Sequence, residues 1–126
     1  MSALKVISDP NTAAPRAPYS QAIAVNGFIY CSGQIPMKPD GTIISDDIGA
    51  AATQCLTNLK GVLTAGGSTI EKIVKVNVYL VDMNDFAAVN EAYVAFFGTH
   101  RPARTCISIR ALPLGANIEI ECIAVE

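Results

Sequence analysis

The sequence predicts one α+β domain in which a mixed sheet carries two helices on one face, in the order ββαβαββ. Three observations support this. Strand-like runs stand at both ends, YSQAIAV and FIYCSGQI near the start and NIEIECIAVE at the finish. Between them, two segments change to the three- and four-residue steps of amphipathic helices. A chain of 126 residues is the length of a single domain, so residues 1–126 share one core. Strands and helices in that order pack most simply as a helix layer on a sheet.

Element by element, PNTAAPRAP is a proline-punctuated loop, and one more short strand fits before Pro10. YSQAIAV and FIYCSGQI meet at Asn26-Gly27, a dipeptide that accepts the positive φ of a tight hairpin turn. MKPDGTI is a second turn-rich loop. From Asp46, the residues Ile48, Ala52, Cys55, Leu56, Leu59, Val62 and Leu63 recur at helical spacing. Asp46 and Asp47 supply the cap and favourable charge at its start, and Gly66-Gly67 end it. KIVKVNVYLV is rich in β-branched residues and places Val74, Val76, Val78 and Leu80 on one parity of a strand. A second helix spans about Asn84 to Phe97, with Phe86, Val89, Tyr93, Phe96 and Phe97 as its apolar face and Gly98 as its stop. Arg104 to Ile109 form a strand, ALPLGA a turn, and NIEIECIAVE the last strand.

Composition narrows the function. Apolar residues make up 51% of the chain and charged residues 16%. A domain this small cannot hide all that apolar surface in one core, so the excess predicts an interface and a homo-oligomer. Net charge is −2, and no run of Lys or Arg is long enough to neutralise a phosphate backbone, so no nucleic-acid partner is expected. The four cysteines form no C-x-x-C pair and sit in apolar segments, as reduced thiols of a cytosol-like compartment would. MSALKVISDP resembles neither a signal peptide nor a transit peptide, and no apolar run is long enough to cross a bilayer, so no membrane partner is expected. His100 is the only histidine, which leaves little for a His-based triad or a multi-histidine metal site. There is no phosphate-cradling glycine loop and no dinucleotide fingerprint. No metal and no cofactor are predicted, so any chemistry must run on Arg, Glu, Tyr, Ser, Asn, backbone groups and water.

Arg104 opens a core strand where valine would fit better. Its guanidinium stays charged, so it either reaches water or meets an anion such as a carboxylate or phosphate. Arg104, Cys106, Ser108 and Arg110 share one face of that strand. Glu119 and Glu121 share a face of the last strand, either as a solvated surface or with one of them as a general acid/base. Tyr19 follows Ala-Pro at a strand start, and Ser32-Gly33-Gln34 ends the hairpin. Ser32 has no visible base partner and no G-x-S-x-G context, which argues against a hydrolase nucleophile. Asn90 borders the apolar stripe of the second helix. Nothing nearby in sequence lowers the pKa of Cys106, so it is not read as a nucleophile.

APYSQAI, IYCSGQIP, the D-x-N-DFAAVNEAY stretch, PARTC and IEIECIAVE together resemble the RidA family, also called YjgF/YER057c/UK114. The resemblance implies a chorismate-mutase-like protomer in a homotrimer with clefts between subunits. It further implies hydrolytic deamination of reactive 2-imino and 2-enamino acids, such as 2-aminoacrylate and 2-aminocrotonate, to 2-oxo acids and ammonia. Carried over by position, Arg104 becomes the carboxylate-binding residue and Glu119 the water-activating acid. Tyr19, Ser32, Gly33, Asn90 and Cys106 become the residues that line the substrate site. FFGTHRPAR is shorter than the matching loop of some bacterial members, which bears on substrate range. On this reading Arg104 and Glu119 come from two neighbouring C-terminal strands and converge on a water-poor crevice where protomers meet. The expected location is cytoplasmic, with the mitochondrion left open. Two rivals use the same chain differently: a non-catalytic trimer that binds small carboxylates such as 2-oxo acids, and an RNA-directed inhibitor or nuclease, against which the acidic balance argues.

Overall fold

The computed structural model describes residues 3–126. Six strands form one sheet: β1 (Lys5–Ile7), β2 (Ala22–Val25), β3 (Phe28–Gln34), β4 (Ile73–Leu80), β5 (Ala103–Ser108) and β6 (Ile118–Val125). Helices α1 (Ile48–Ala65) and α2 (Phe86–Phe97) pack together on one face of it. The short strand expected before Pro10 is β1, so the described order is βββαβαββ. Across the sheet the strands run β1-β2-β3-β6-β4-β5. Only β4 and β5 pair in parallel, because α2 carries the chain back between them.

Local chemistry sets most boundaries. Asn26 (φ 53°) and Gly27 (φ 83°) turn the β2–β3 hairpin in the left-handed region. The Asp47 carboxylate accepts from Ala50 N at the start of α1. At its end, Gly67 (φ 82°) allows Ser68 N to reach the Leu63 carbonyl and Gly67 N the Thr64 carbonyl, a paired closure of the last turn. Leu56, Leu59, Val62 and Leu63 of α1 then bury against Ile29, Val76, Val78, Ile118 and Ile120 of the sheet.

Three details depart from the sequence reading. Val74 does not share the buried parity: two residues of β4 oppose one of β6 between Ile73 and Lys75, so Ile73 is buried and Val74 is 42% exposed. The second helix begins with a tight turn at Met83–Asp85, capped by Asp82, and Phe86 at its head is exposed rather than buried. Finally, β5 and β6 are not neighbours, because β4 lies between them.

The sheet face away from the helices has no cover in a single protomer. Val6, Phe28, Tyr30 and Ile107 stand exposed on it beside Thr105, Asn77 and Tyr79. This is where the apolar excess goes. No helix among the described residues is long and apolar enough to cross a membrane.

A loop braced on α1 approaches the site from the N-terminal side. The buried Gln21 side chain bonds to Asp9 and to the Ala13 carbonyl, and the Asp9 carboxylate accepts from Thr12. Gly61 sits in the middle of α1, where glycine ordinarily costs about 0.5–1 kcal/mol relative to alanine. A Cβ there would lie 2.6 Å from Asp9 Oδ2 and 2.7 Å from Thr12 Oγ1. Gly61→Ala should therefore destabilise the protein by about 1–3 kcal/mol, in a urea titration at matched protein concentration. A rise in stability would show that the loop is not pressed on the helix.

Candidate functional site

The predicted site residues fall into two groups on opposite faces of the sheet. The first lies at the β5 edge, on the helix side. Arg104 and Cys106 are in register with the fully buried Val76 and Val78, which fixes their face. The Arg104 guanidinium carbon lies 4.8 Å from the centroid of the Tyr93 ring and 5.6 Å from that of Phe86. The two rings form a cation–π bed that orients the fork at the edge of the sheet. Asn90 occupies the same stripe of α2, one turn from each ring. Asn90 Oδ1 and Tyr93 Oη are both buried without a hydrogen-bond partner. Such groups usually find one, because leaving a buried polar atom unpaired costs about 1–3 kcal/mol. Burial raises the Cys106 pKa, with Arg104 opposing it in part, so the thiol stays protonated. That is the state expected of a lining residue rather than a nucleophile.

The second group lines a cavity of about 320 Å³ on the other face, which contains Tyr19, Ser32, Gly33 and Glu119. Ser32 Oγ donates to the Ser20 carbonyl at 2.6 Å, and Ser32 N to the Gln21 carbonyl at 2.9 Å. The hydroxyl is thus used to hold the Tyr19 segment against β3. Gly33 lies against Glu119: a Cβ at position 33 would stand 2.5 Å from Glu119 Oε1.

The two glutamates of β6 have different surroundings. Glu121 Oε1 accepts from Tyr79 Oη at 2.6 Å and from Asn77 Nδ2 at 3.0 Å. These bonds hold it as a fixed carboxylate, and the bond to Glu121 pushes Tyr79 up to about 12. Glu119 is half-buried and faces the cavity. Burial first, and the charge of Glu121 second, raise its pKa above the ordinary glutamate value. Of the pair, Glu119 is the one poised to exchange a proton.

Asn77 and Tyr79 escaped the sequence reading, although both sit on the strand parity opposite Val76 and Val78. The stacking of Arg104 on Phe86 and Tyr93 is also absent from the sequence pattern, which shows the two aromatics only as part of an apolar helix face. Among the described residues, no group of three or more His, Cys, Asp or Glu side chains is arranged to hold a metal ion.

Residues 10–126 match the family described as Endoribonuclease L-PSP. The chain belongs to the RidA/YjgF family. The Schizosaccharomyces pombe protein mmf1, mitochondrial, is 53% identical over 112 residues, which cover 86% of this chain and 68% of the relative. The 2-iminobutanoate/2-iminopropanoate deaminase of Salmonella typhimurium is 41% identical over 125 residues, 97% of this chain and 98% of the relative. Among solved RidA-like structures, yeast YEO7 superposes with a TM-score of 0.96 at 43% identity, covering 98% of this chain and 99% of the other. Escherichia coli TdcF with bound serine superposes with a TM-score of 0.92 at 36% identity, covering 97% of each. The RidA family thus includes imine deaminases, and relatives of this chain include mitochondrial proteins.

Gly33→Ala should push the Glu119 carboxylate out of its half-buried position. In a carboxyl-carbon NMR titration, the Glu119 pKa then falls toward the ordinary glutamate value. An unchanged titration would mean that Gly33 does not set the position of Glu119.

Proposed function

We propose that the protein is a homotrimeric deaminase that hydrolyses 2-imino acids to 2-oxo acids and ammonia in clefts between protomers. One observation carries this reading: the Arg104 and Glu119 groups occupy opposite faces of one sheet, with β4 between their strands. Neither is complete alone. The arginine edge has a fixed cation and two unpaired polar atoms, while the glutamate cavity has a base and room for a ligand. A second copy that brings its Arg104 edge to the Glu119 cavity completes both. The bare apolar sheet face supports such an assembly, since it needs a cover of this kind. The identity to an imine deaminase along nearly the whole chain supports the reaction class.

The chemistry requires little apparatus. A protonated 2-imino acid is already electrophilic at C2. Arg104 of one protomer grips its carboxylate with two N–H donors. Glu119 of the next takes a proton from water as the oxygen bonds to C2, and the C=N π electrons move onto nitrogen. The resulting carbinolamine takes that proton back on its nitrogen. The C–N bond then breaks, ammonia leaves, and loss of the hydroxyl proton forms the 2-oxo acid. The raised pKa of Glu119 suits both directions of transfer.

The test is a dehydratase that releases the imine in situ, with semicarbazide competing against the protein for it. Arg104→Ala should leave the oligomer intact and lower kcat/KM by about two to three orders of magnitude. Glu119→Gln should lower kcat by about 10²–10⁴-fold, with a smaller change in KM. Equal loss from Glu121→Gln would transfer the role to Glu121, and wild-type activity in both Arg104→Ala and Glu119→Gln would reject the mechanism. The pH profile offers a finer check. Glu119 acts deprotonated, so kcat/KM falls as pH drops through its raised pKa. Glu121→Gln removes the like charge beside it and should move that acid limb to lower pH.

A further inference from the structure

The Glu119 cavity also contains Arg16, a second cation that the mechanism above does not use. Pro15 and Pro18 bracket it, fixing their own φ and restricting the residues before them, so the segment is largely pre-set. The Arg16 guanidinium covers Gly41 (φ 92°): a Cβ there would stand 2.8 Å from Arg16 Nη2. Among the described residues, no carboxylate forms a hydrogen bond or ion pair with it. The Asp40 carboxylate, next to Gly41, accepts from Thr42 N at 2.8 Å, and that bonding lowers its pKa. Glu119, raised by burial first and by the Glu121 charge second, lines the same cavity. The Arg16 side chain is thus an exposed part of the cavity wall, lying over Gly41. The cavity has room for roughly ten waters, more than the smallest imino acids fill.

We propose that Arg16 is a specificity residue that binds a second carboxylate, so that the protein favours imino acids with an anionic side chain. This rests on the deaminase reading and names its substrate class. The C1 carboxylate goes to Arg104 of the neighbouring protomer, C2 to Glu119, and the side-chain carboxylate to Arg16. A dicarboxylate spans the cavity between two cations, whereas an alkyl side chain leaves Arg16 to water. Reactions that supply such substrates are oxidations of acidic amino acids at the α-carbon.

The experiment generates imines in situ, from alanine with an amino-acid oxidase and from aspartate with an aspartate oxidase, and reads hydrolysis against semicarbazide trapping. In the wild type, kcat/KM for the dicarboxylic imine should exceed that for the monocarboxylic one. Arg16→Ala should lower the dicarboxylic-to-monocarboxylic ratio by about ten- to a hundredfold, and Arg16→Lys should restore part of it. A ratio unmoved by Arg16→Ala, with the alanine-derived imine still hydrolysed, overturns this inference and leaves the deaminase reading standing. If the wild type hydrolyses neither imine, the deaminase reading fails. Calorimetric titration with oxaloacetate and pyruvate then decides the role of Arg16: a preference for oxaloacetate that Arg16→Ala removes supports it, and equal binding overturns it.

Discussion

Strand parity and strand order together keep Arg104 and Glu119 apart. Arg104 shares its face with Val76 and Val78, which pack under the helices. Glu119 alternates with Ile118 and Ile120, so it must point the other way. The β4 strand between them removes any chance of direct contact across neighbours. A side chain cannot change face without a one-residue slip of register, which would expose the core. The separation is therefore fixed by the same burial that holds the fold together, and the proposed mechanism accordingly draws its two groups from different copies of the chain.

Each group carries the marks of this division. At the β5 edge, two aromatic rings hold a cation in place while two buried polar atoms lack partners. On the other face, Tyr79 and Asn77 fix Glu121, while burial first and the charge of Glu121 second keep Glu119 inclined to hold a proton. On the proposed mechanism, two carboxylates two residues apart thus serve different ends, one as a hydrogen-bonded neighbour and one as a proton carrier.

Much of this was legible in the sequence because it is written locally. The Asn26-Gly27 turn, the Asp47 cap, the Gly66-Gly67 stop and the helical stripe of α1 each depend on a few adjacent residues. Features set by distant partners were not legible. Val74 leaves its parity because of how β6 pairs with Ile73 and Lys75. Phe86 is exposed in the protomer because its ring faces Arg104 at an open edge. Sequence alternation showed that Glu119 and Glu121 share a face, but only the neighbouring strand, with Asn77 and Tyr79, separates their roles. Likewise Arg104 and Glu119 could be named, but not assigned to opposite faces, because the parallel return through α2 decides the strand order.

The most direct measurement mixes two inactive chains, Arg104→Ala and Glu119→Gln, by refolding them together in equal amounts and assaying imine hydrolysis. If each cleft takes its arginine from one protomer and its glutamate from the next, about a quarter of the clefts in random rings regain both groups, and activity returns to about that fraction of wild type. If both groups act within one protomer, every cleft lacks one of them. Activity that stays at the level of the separate variants, in oligomers shown to have exchanged subunits, would contradict the account.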